Sequence, residues 1–200
     1  QRLASAQTES MMSFGSNRVY IEQYLENPKH IEVQIIADSS DVIQLGEREC
    51  SIQRRHQKLI EETPSPALDD ETRHDILSEA VSIMNEIGYD NAGTVEFLLK
   101  GNKYYFMEIN ARIQVEHPIT ELVTGVDIVE QQLRAAIGQG LSVKQEMISS
   151  KGHAIECRIN AEHPLSFAPV SGRGNKFVAP SGAGVRLDSA LYSGYSIREF

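Results

Sequence analysis

With 200 residues, 40% of them apolar and 24% charged, the chain is long enough to bury a core for one domain or one and a half. Its net charge of −9 argues against a nucleic-acid surface, without excluding an anionic ligand at a local site, and no apolar run approaches the roughly 20 residues of a membrane span. Cys50 and Cys157 are too few for a disulfide framework, which fits a reducing, cytoplasmic interior (or a mitochondrial matrix), and Cys157 reads as a small buried hydrophobe. Residues 1–15 read as a helix ending at Phe14-Gly15. A β-rich run over 19–25 is closed by Asn27-Pro28, and 30–37 alternates as a half-buried strand. A turn at 38–41 lets 42–45 pair with that strand as a hairpin. The charge-dense stretch 47–62 is punctuated by Pro64 and Pro66, after which Asp69 and Asp70 offer an N-cap to a helix over 71–87. Ile76, Ala80, Ile83, Met84 and Ile87 form its stripe. Strands follow at 93–99 and 104–109, then a helix over 120–137 with Leu122, Val126, Val129 and Leu133 on its buried face. A polar link and a strand over 154–159 open a Gly- and Pro-rich segment, so a domain boundary is expected near residue 150. The chain starts without Met and breaks off within 195–200 in mid-pattern, and it reads as a piece of a longer protein.

Chemistry concentrates in the stretch 108–118 and in Glu96, a carboxylate inside the apolar run 94–99. A hairpin turning at Gly101-Asn102-Lys103, with Lys100 opposite Tyr104, brings Glu96 opposite Glu108. The period-2 pattern selects this register over that of a two-residue loop. One face then carries Val95, Phe97, Leu99, Tyr105, Met107 and Ile109, and the other Thr94, Glu96, Leu98, Phe106, Glu108 and Asn110. Like charges directly opposed destabilise a sheet unless something lies between them. Carboxylate and amide oxygens suit a hard cation such as Mg²⁺, which commonly shares its shell with phosphates. A solvated polar face with two unrelated glutamates is the other reading.

The densest cationic stretch is Gln53-Arg54-Arg55-His56-Gln57-Lys58. If extended, it puts Arg54, His56 and Lys58 on one face, either toward an anion or as a solvated edge that resists aggregation. Arg112, Gln114 and Glu116 alternate, so an extended backbone would aim all three one way. Arg112 could then hold a planar oxyanion and Glu116 act as a base, or the two could form a surface ion pair. Arg158 ends an apolar strand, as an ion-pair or site residue. No phosphate loop of the usual Gly-rich patterns and no Ser-His-Asp arrangement occurs.

Four segments taken together resemble the biotin carboxylase family of ATP-grasp enzymes: 24–32, 50–58, 108–118 and 156–162. The resemblance runs from about Asn17 to the end. It implies an α+β fold, with the antiparallel sheet and flanking helices of the ATP-grasp C-terminal subdomain over 1–148. The start of the biotin carboxylase C-terminal domain would occupy 149–200. Glu22, Gln23 and Leu25 would lie along the adenine edge, His30, Gln53 and His56 would contact ribose and phosphates, and Leu98 would pack on adenine. Glu96, Glu108 and Asn110 would hold Mg²⁺ (or Mn²⁺). Lys58, Arg112, Gln114 and Val115 would form a bicarbonate pocket, Glu116 would deprotonate bicarbonate, and Arg158 would stabilise the biotin enolate. Arg186 matches a dimer-contact arginine.

The implied activity is ATP- and bicarbonate-dependent carboxylation of biotin on a carrier protein, through carboxyphosphate. A carboxyltransferase component and a homodimer are implied as partners. Gln23 replaces the lysine of many relatives, and Ala111 and Ala183 are further departures. The family's glycine-rich lid and two ATP-binding lysines would precede Gln1, so this piece is expected to be inactive alone and to bind ATP weakly. Two other functions fit some of the same residues: a carbamoyl-phosphate synthetase large-chain-like ligase, or a non-catalytic ATP-grasp module.

Overall fold

A computed structural model describes residues 2–198. Gln1, Glu199 and Phe200, the last two at the mid-pattern break, lie outside the described residues. The chain divides into two compact units, the first closing at Glu156 and the second opening at Cys157.

The first unit is α+β, as the resemblance implies. It contains α1 (Arg2–Phe14), β1 (Lys29–Ala37), β2 (Val42–Arg54), β3 (Gln57–Thr63), α2 (Asp70–Glu86), β4 (Asn91–Lys100), β5 (Lys103–Asn110), α3 (His117–Thr124), α4 (Ile128–Ala136) and β6 (Ala154–Cys157). The strands form one sheet in the order β5-β4-β1-β2-β3-β6. β1 is antiparallel to both β2 and β4. That central place buries it on both faces from Ile31 to Ala37, not on one face as its alternation predicts. The run 19–25 forms no strand. Tyr20, Ile21 and Tyr24 are more than four-fifths exposed there, because strand-prone side chains make a strand only beside a partner.

One face of the sheet packs on α2. The Asp69 carboxylate accepts from the Thr72 backbone N–H at 2.8 Å and caps that helix. Ile76, Ala80 and Met84 then meet Val33, Ile35, Val95 and Phe97. Ile87 leaves the predicted stripe, since it is the C-cap and lies outside the last packed turn. The other face is split along its length. At the Ile36 end, Ile36, Ile43, Leu45 and Ala92 are covered by Val126 and Ile128. At the His30 end it is polar.

The predicted 120–137 helix is two helices. Gly125 adopts a left-handed φ of 73° and caps α3, which redirects the chain before α4. The stripe is therefore broken: Val126 is buried, whereas Leu122, Val129 and Leu133 are exposed and Ile119, Val123 and Ile128 take their place. No described helix is long and apolar enough to cross a membrane.

Two bulges decide which side chains reach the polar end. In β2 an extra residue falls between the pairs Val33↔Glu47 and Ile35↔Gln44, where Gly46 has φ 88°. Simple alternation would group Glu47 and Glu49 with Ile43 and Leu45. The bulge moves Arg48, opposite Glu32, onto that face instead. In β5 the hairpin loop has two residues, since Lys100 opposes Lys103, and not the three predicted. A bulge at Met107 then restores the pairs Glu96↔Glu108 and Thr94↔Asn110. The predicted faces change accordingly. Tyr104 packs against the core and meets Phe97 edge-on at 5.7 Å, Phe106 meets the same ring at 6.3 Å but is 52% exposed, and Tyr105 and Met107 are exposed as well.

In the second unit two short strands, Gly172–Arg173 and Ser196–Ile197, pair antiparallel, and Glu162 bridges Pro169. Cys157 is exposed here, correcting its reading as a buried hydrophobe: it ends a strand and has no core around it.

Candidate active site

The polar end of the sheet is organised around Lys58. The β2–β3 turn has positive φ at both Arg55 (52°) and His56 (62°), the signature of a tight two-residue hairpin. The stretch 53–58 is therefore not extended, and Arg54, His56 and Lys58 do not share a face. His56 sits exposed at the turn, while Lys58 turns inward. Its ammonium donates to Glu32, to Glu96 at 2.9 Å and to Glu116 at 2.8 Å. Burial alone would lower its pKa, but Glu32 and Glu116 outweigh it and hold Lys58 well above the usual lysine range. Burial likewise opposes ionisation of Glu116, yet the charge and hydrogen bond of Lys58 bring its pKa below the ordinary value. Glu116 is therefore an ionised carboxylate at neutral pH.

Arg48 completes the cluster. It is fully buried and donates through Nε to Glu32. The half-buried Lys58 and the fully buried Arg48 thus face three buried carboxylates, Glu32, Glu96 and Glu116, which leaves the group attractive to a further cation. Cys50 lies within the same group, where burial and the Glu32 charge raise its pKa and keep it a neutral thiol.

Glu96 is the most heavily bonded acid. Besides Lys58 it accepts from His30 Nε2 at 2.6 Å, Gln114 Nε2 at 2.8 Å and Asn110 Nδ2 at 2.9 Å. The Gln53 amide donates to His30 Nδ1 at 2.8 Å, so the imidazole proton lies on Nε2, facing Glu96. Burial would raise the Glu96 pKa, but the His30 bond and the Lys58 charge bring it from 4.5 to about 2. A carboxylate depressed in the folded state stabilises the fold above its unfolded pKa, and that stability is lost as pH falls through the folded value. Acidification from pH 4.5 towards pH 2 is therefore expected to remove up to about 3 kcal/mol through this one group. Urea titrations of the full-length protein should show it, and Glu96→Gln should flatten the dependence in that window. An unaltered slope in the variant would remove Glu96 as its source.

Glu108 stands directly opposite Glu96 and accepts one long bond, from Asn110 Nδ2 at 3.4 Å. Two opposed carboxylates are hard oxygen donors of the kind a Mg²⁺ or Mn²⁺ ion prefers, while Asn110 turns its NH₂ to both of them and its Oδ1 to Arg112, so it would ligate only after its amide rotates. The residues present fit such an ion. A tighter acidic group, His30, Glu32 and Glu96, also brings its ligand atoms within 4.8 Å of one another, but Lys58 already bonds two of its three members.

The remaining predicted residues divide. Gln114 and Glu116 are buried and turned into the cluster by the turn leading into α3. Arg112 stays at its exposed rim, donating to Ile113 O at 3.1 Å and to Asn110 Oδ1 at 3.4 Å. The backbone over 111–116 is not extended, so Arg112, Gln114 and Glu116 do not all point one way. Val115 is exposed beside Gln114. Leu98 lies next to His30 in the β1–β4 register, on the site's face. Glu22, Gln23 and Leu25 fall in the exposed 19–25 segment and not on a strand. Arg158 and Arg186 belong to the second unit, where Arg186 Nε donates to Asp188 at 2.7 Å. Sequence reading missed Glu32 and Arg48. A carboxylate in the apolar strand 30–37 was a usable signal for Glu32, whereas the Gly46 bulge hid Arg48.

An antiparallel sheet presenting opposed carboxylates beside a half-buried lysine defines a class as well as a site. The chain belongs to the family of the carbamoyl-phosphate synthase L chain, ATP binding domain, whose model matches residues 1–144. Within it, the chain is 52% identical over 191 residues to the biotin carboxylase of Pseudomonas aeruginosa, covering 95% of this chain and 42% of that protein. It is 53% identical over 195 residues to biotin carboxylase 1 of Bacillus subtilis, covering 96% of this chain and 43% of the relative. The biotin carboxylase domain dimer of Hydrogenobacter thermophilus 2-oxoglutarate carboxylase, solved with MgADP, ADP and bicarbonate, superposes with a TM-score of 0.92. It is 48% identical, with 100% of this chain and 45% of that one covered. The chain thus spans less than half the length of these relatives.

Proposed function

We propose that this chain is the metal- and bicarbonate-handling part of a biotin carboxylase, which carboxylates carrier-bound biotin with cleavage of ATP through carboxyphosphate. The observation that carries this reading is the Lys58 cluster. It sets an ionised, buried Glu116 and the Gln114 amide beside the opposed Glu96 and Glu108, in a chain about half identical to biotin carboxylases.

In this reading Lys58, Arg112, Gln114 and Val115 bind bicarbonate, with Arg112 closing over it from the rim. Glu116 removes its proton, and the resulting dianion attacks the terminal phosphoryl group of ATP. Glu96, Glu108 and Asn110 hold Mg²⁺, which when bound neutralises charge on the phosphates. Glu22, Gln23, Leu25, His30, Gln53, His56 and Leu98 contribute to nucleotide binding, and Arg158 steadies the biotin enolate. Residues 1–148 are the ATP-grasp portion and 149–200 the start of the C-terminal domain. The whole enzyme works in the cytoplasm (or a mitochondrial matrix) as a homodimer, with a biotin carrier and a carboxyltransferase as partners. The 200-residue piece alone is inactive.

The test is ATP cleavage by the full-length protein. It should require bicarbonate and rise with free biotin. Dependence on ammonia or glutamine would instead indicate a carbamoyl-phosphate synthetase-like ligase, and no dependence on either a non-catalytic module. Glu108→Gln should raise the Mg²⁺ concentration for half-maximal activity about tenfold or more, because one of two hard anionic ligands is lost. An unchanged Mg²⁺ titration would remove Glu108 from the metal shell.

A further inference from the structure

Arg48 has no substrate contact in the reading above, yet it reaches three separate parts of the site. Its Nε donates to Glu32 on β1. Nη1 donates to Gln34 Oε1 at 2.8 Å and to Thr120 Oγ1 on α3 at 2.9 Å, and Nη2 donates to Gln114 Oε1 at 3.3 Å. All five residues are 5% exposed or less.

A guanidinium only donates, so every group facing it must present an acceptor. This constraint sets the amide of Gln114: its oxygen faces Arg48, and its NH₂ is left to donate to Glu96. The constraint also divides Glu32, with one oxygen on Arg48 and the other on Lys58. We infer that Arg48 is a positioning residue, fixing the amide orientation of Gln114 and, through Glu32, the place of Lys58, so that the anion pocket is formed before its ligand arrives. This rests on the bicarbonate role proposed above for Gln114 and Lys58. Lysine could keep the charge beside Glu32, but a single ammonium cannot span acceptors on β1, on α3 and at Gln114.

The experiment is a double-mutant cycle in the full-length protein, reading ATP cleavage with free biotin at varied bicarbonate. Arg48→Lys is expected to raise the KM for bicarbonate about tenfold, with kcat and the KM for ATP within about twofold, and Gln114→Ala to raise the bicarbonate KM at least as much. The double variant is expected to be no worse than the weaker single one, because both remove the same oriented amide. Multiplying effects, or an equal rise in the KM for ATP, would overturn the positioning role in favour of a general packing one. If Arg48→Lys does not fold, Thr120→Val releases one anchor of the guanidinium. It should raise the bicarbonate KM about threefold at constant kcat, and no change would overturn the inference. Wild-type ATP cleavage indifferent to bicarbonate would sink the proposed function instead. The crystal structure of Arg48→Lys then decides the positioning role, with a rotated Gln114 amide supporting it and an unmoved one overturning it.

Discussion

Replacing Glu116 by Gln in the full-length protein is expected to lower biotin-dependent ATP cleavage by about 10²–10⁴-fold, the usual contribution of a positioned base. The carboxylate is 2% exposed, and Lys58 holds its pKa below the ordinary value, so wild-type Glu116 is ready to accept a proton throughout the neutral range. Gln is nearly isosteric and can still accept from the Lys58 ammonium, which also keeps Glu32 and Glu96. The variant should therefore fold, with a urea midpoint close to wild type and a strongly reduced rate. Arg112→Ala should behave alike, because Arg112 is exposed and contributes little to packing. Wild-type turnover in both variants would leave the site without a catalytic role and favour a non-catalytic module.

Replacing Lys58 by Met has the largest expected effect on stability, about 3–5 kcal/mol, the cost of leaving buried charges without their partner. Glu32, Glu96 and Glu116 would then face one another with a single cation, Arg48, where the wild type has both. The pH dependence should also reverse. In the wild type the depressed Glu96, at about 2, makes the fold less stable as pH falls below 4.5. Without Lys58 the carboxylates raise one another, and a group with its folded pKa above its unfolded one gains stability as pH falls through the folded value. Chemical denaturation at pH 8 and pH 5 should find the variant more stable at pH 5. A variant as stable as wild type at pH 8 would show that Lys58 does not neutralise the cluster.

Much of the architecture was legible because periodicity reports what a strand or helix buries. The α2 stripe Ile76, Ala80, Met84 and the opposition of Glu96 to Glu108 both follow from it. The route to that opposition differed, since a shorter loop and a bulge at Met107 compensate each other. Errors arose where the backbone departs from regular geometry. Gly125 breaks the helix that the spacing of Leu122 and Leu133 would continue. The left-handed Arg55-His56 turn separates cations that an extended chain would align. For the run 19–25, strand propensity was present but no neighbouring strand was.

By itself, then, the sequence determined the class of fold and the inventory of reactive groups, because side-chain period and residue chemistry are local properties. It also carried the motifs by which the chain resembles its relatives. Only the tertiary structure decided how those groups are paired. Lys58 among three glutamates and Arg48 behind Glu32 and Gln114 are contacts between residues far apart in the chain. One extra residue at Gly46 or Met107 reverses which side chains face the site, because consecutive positions of a strand point to opposite faces.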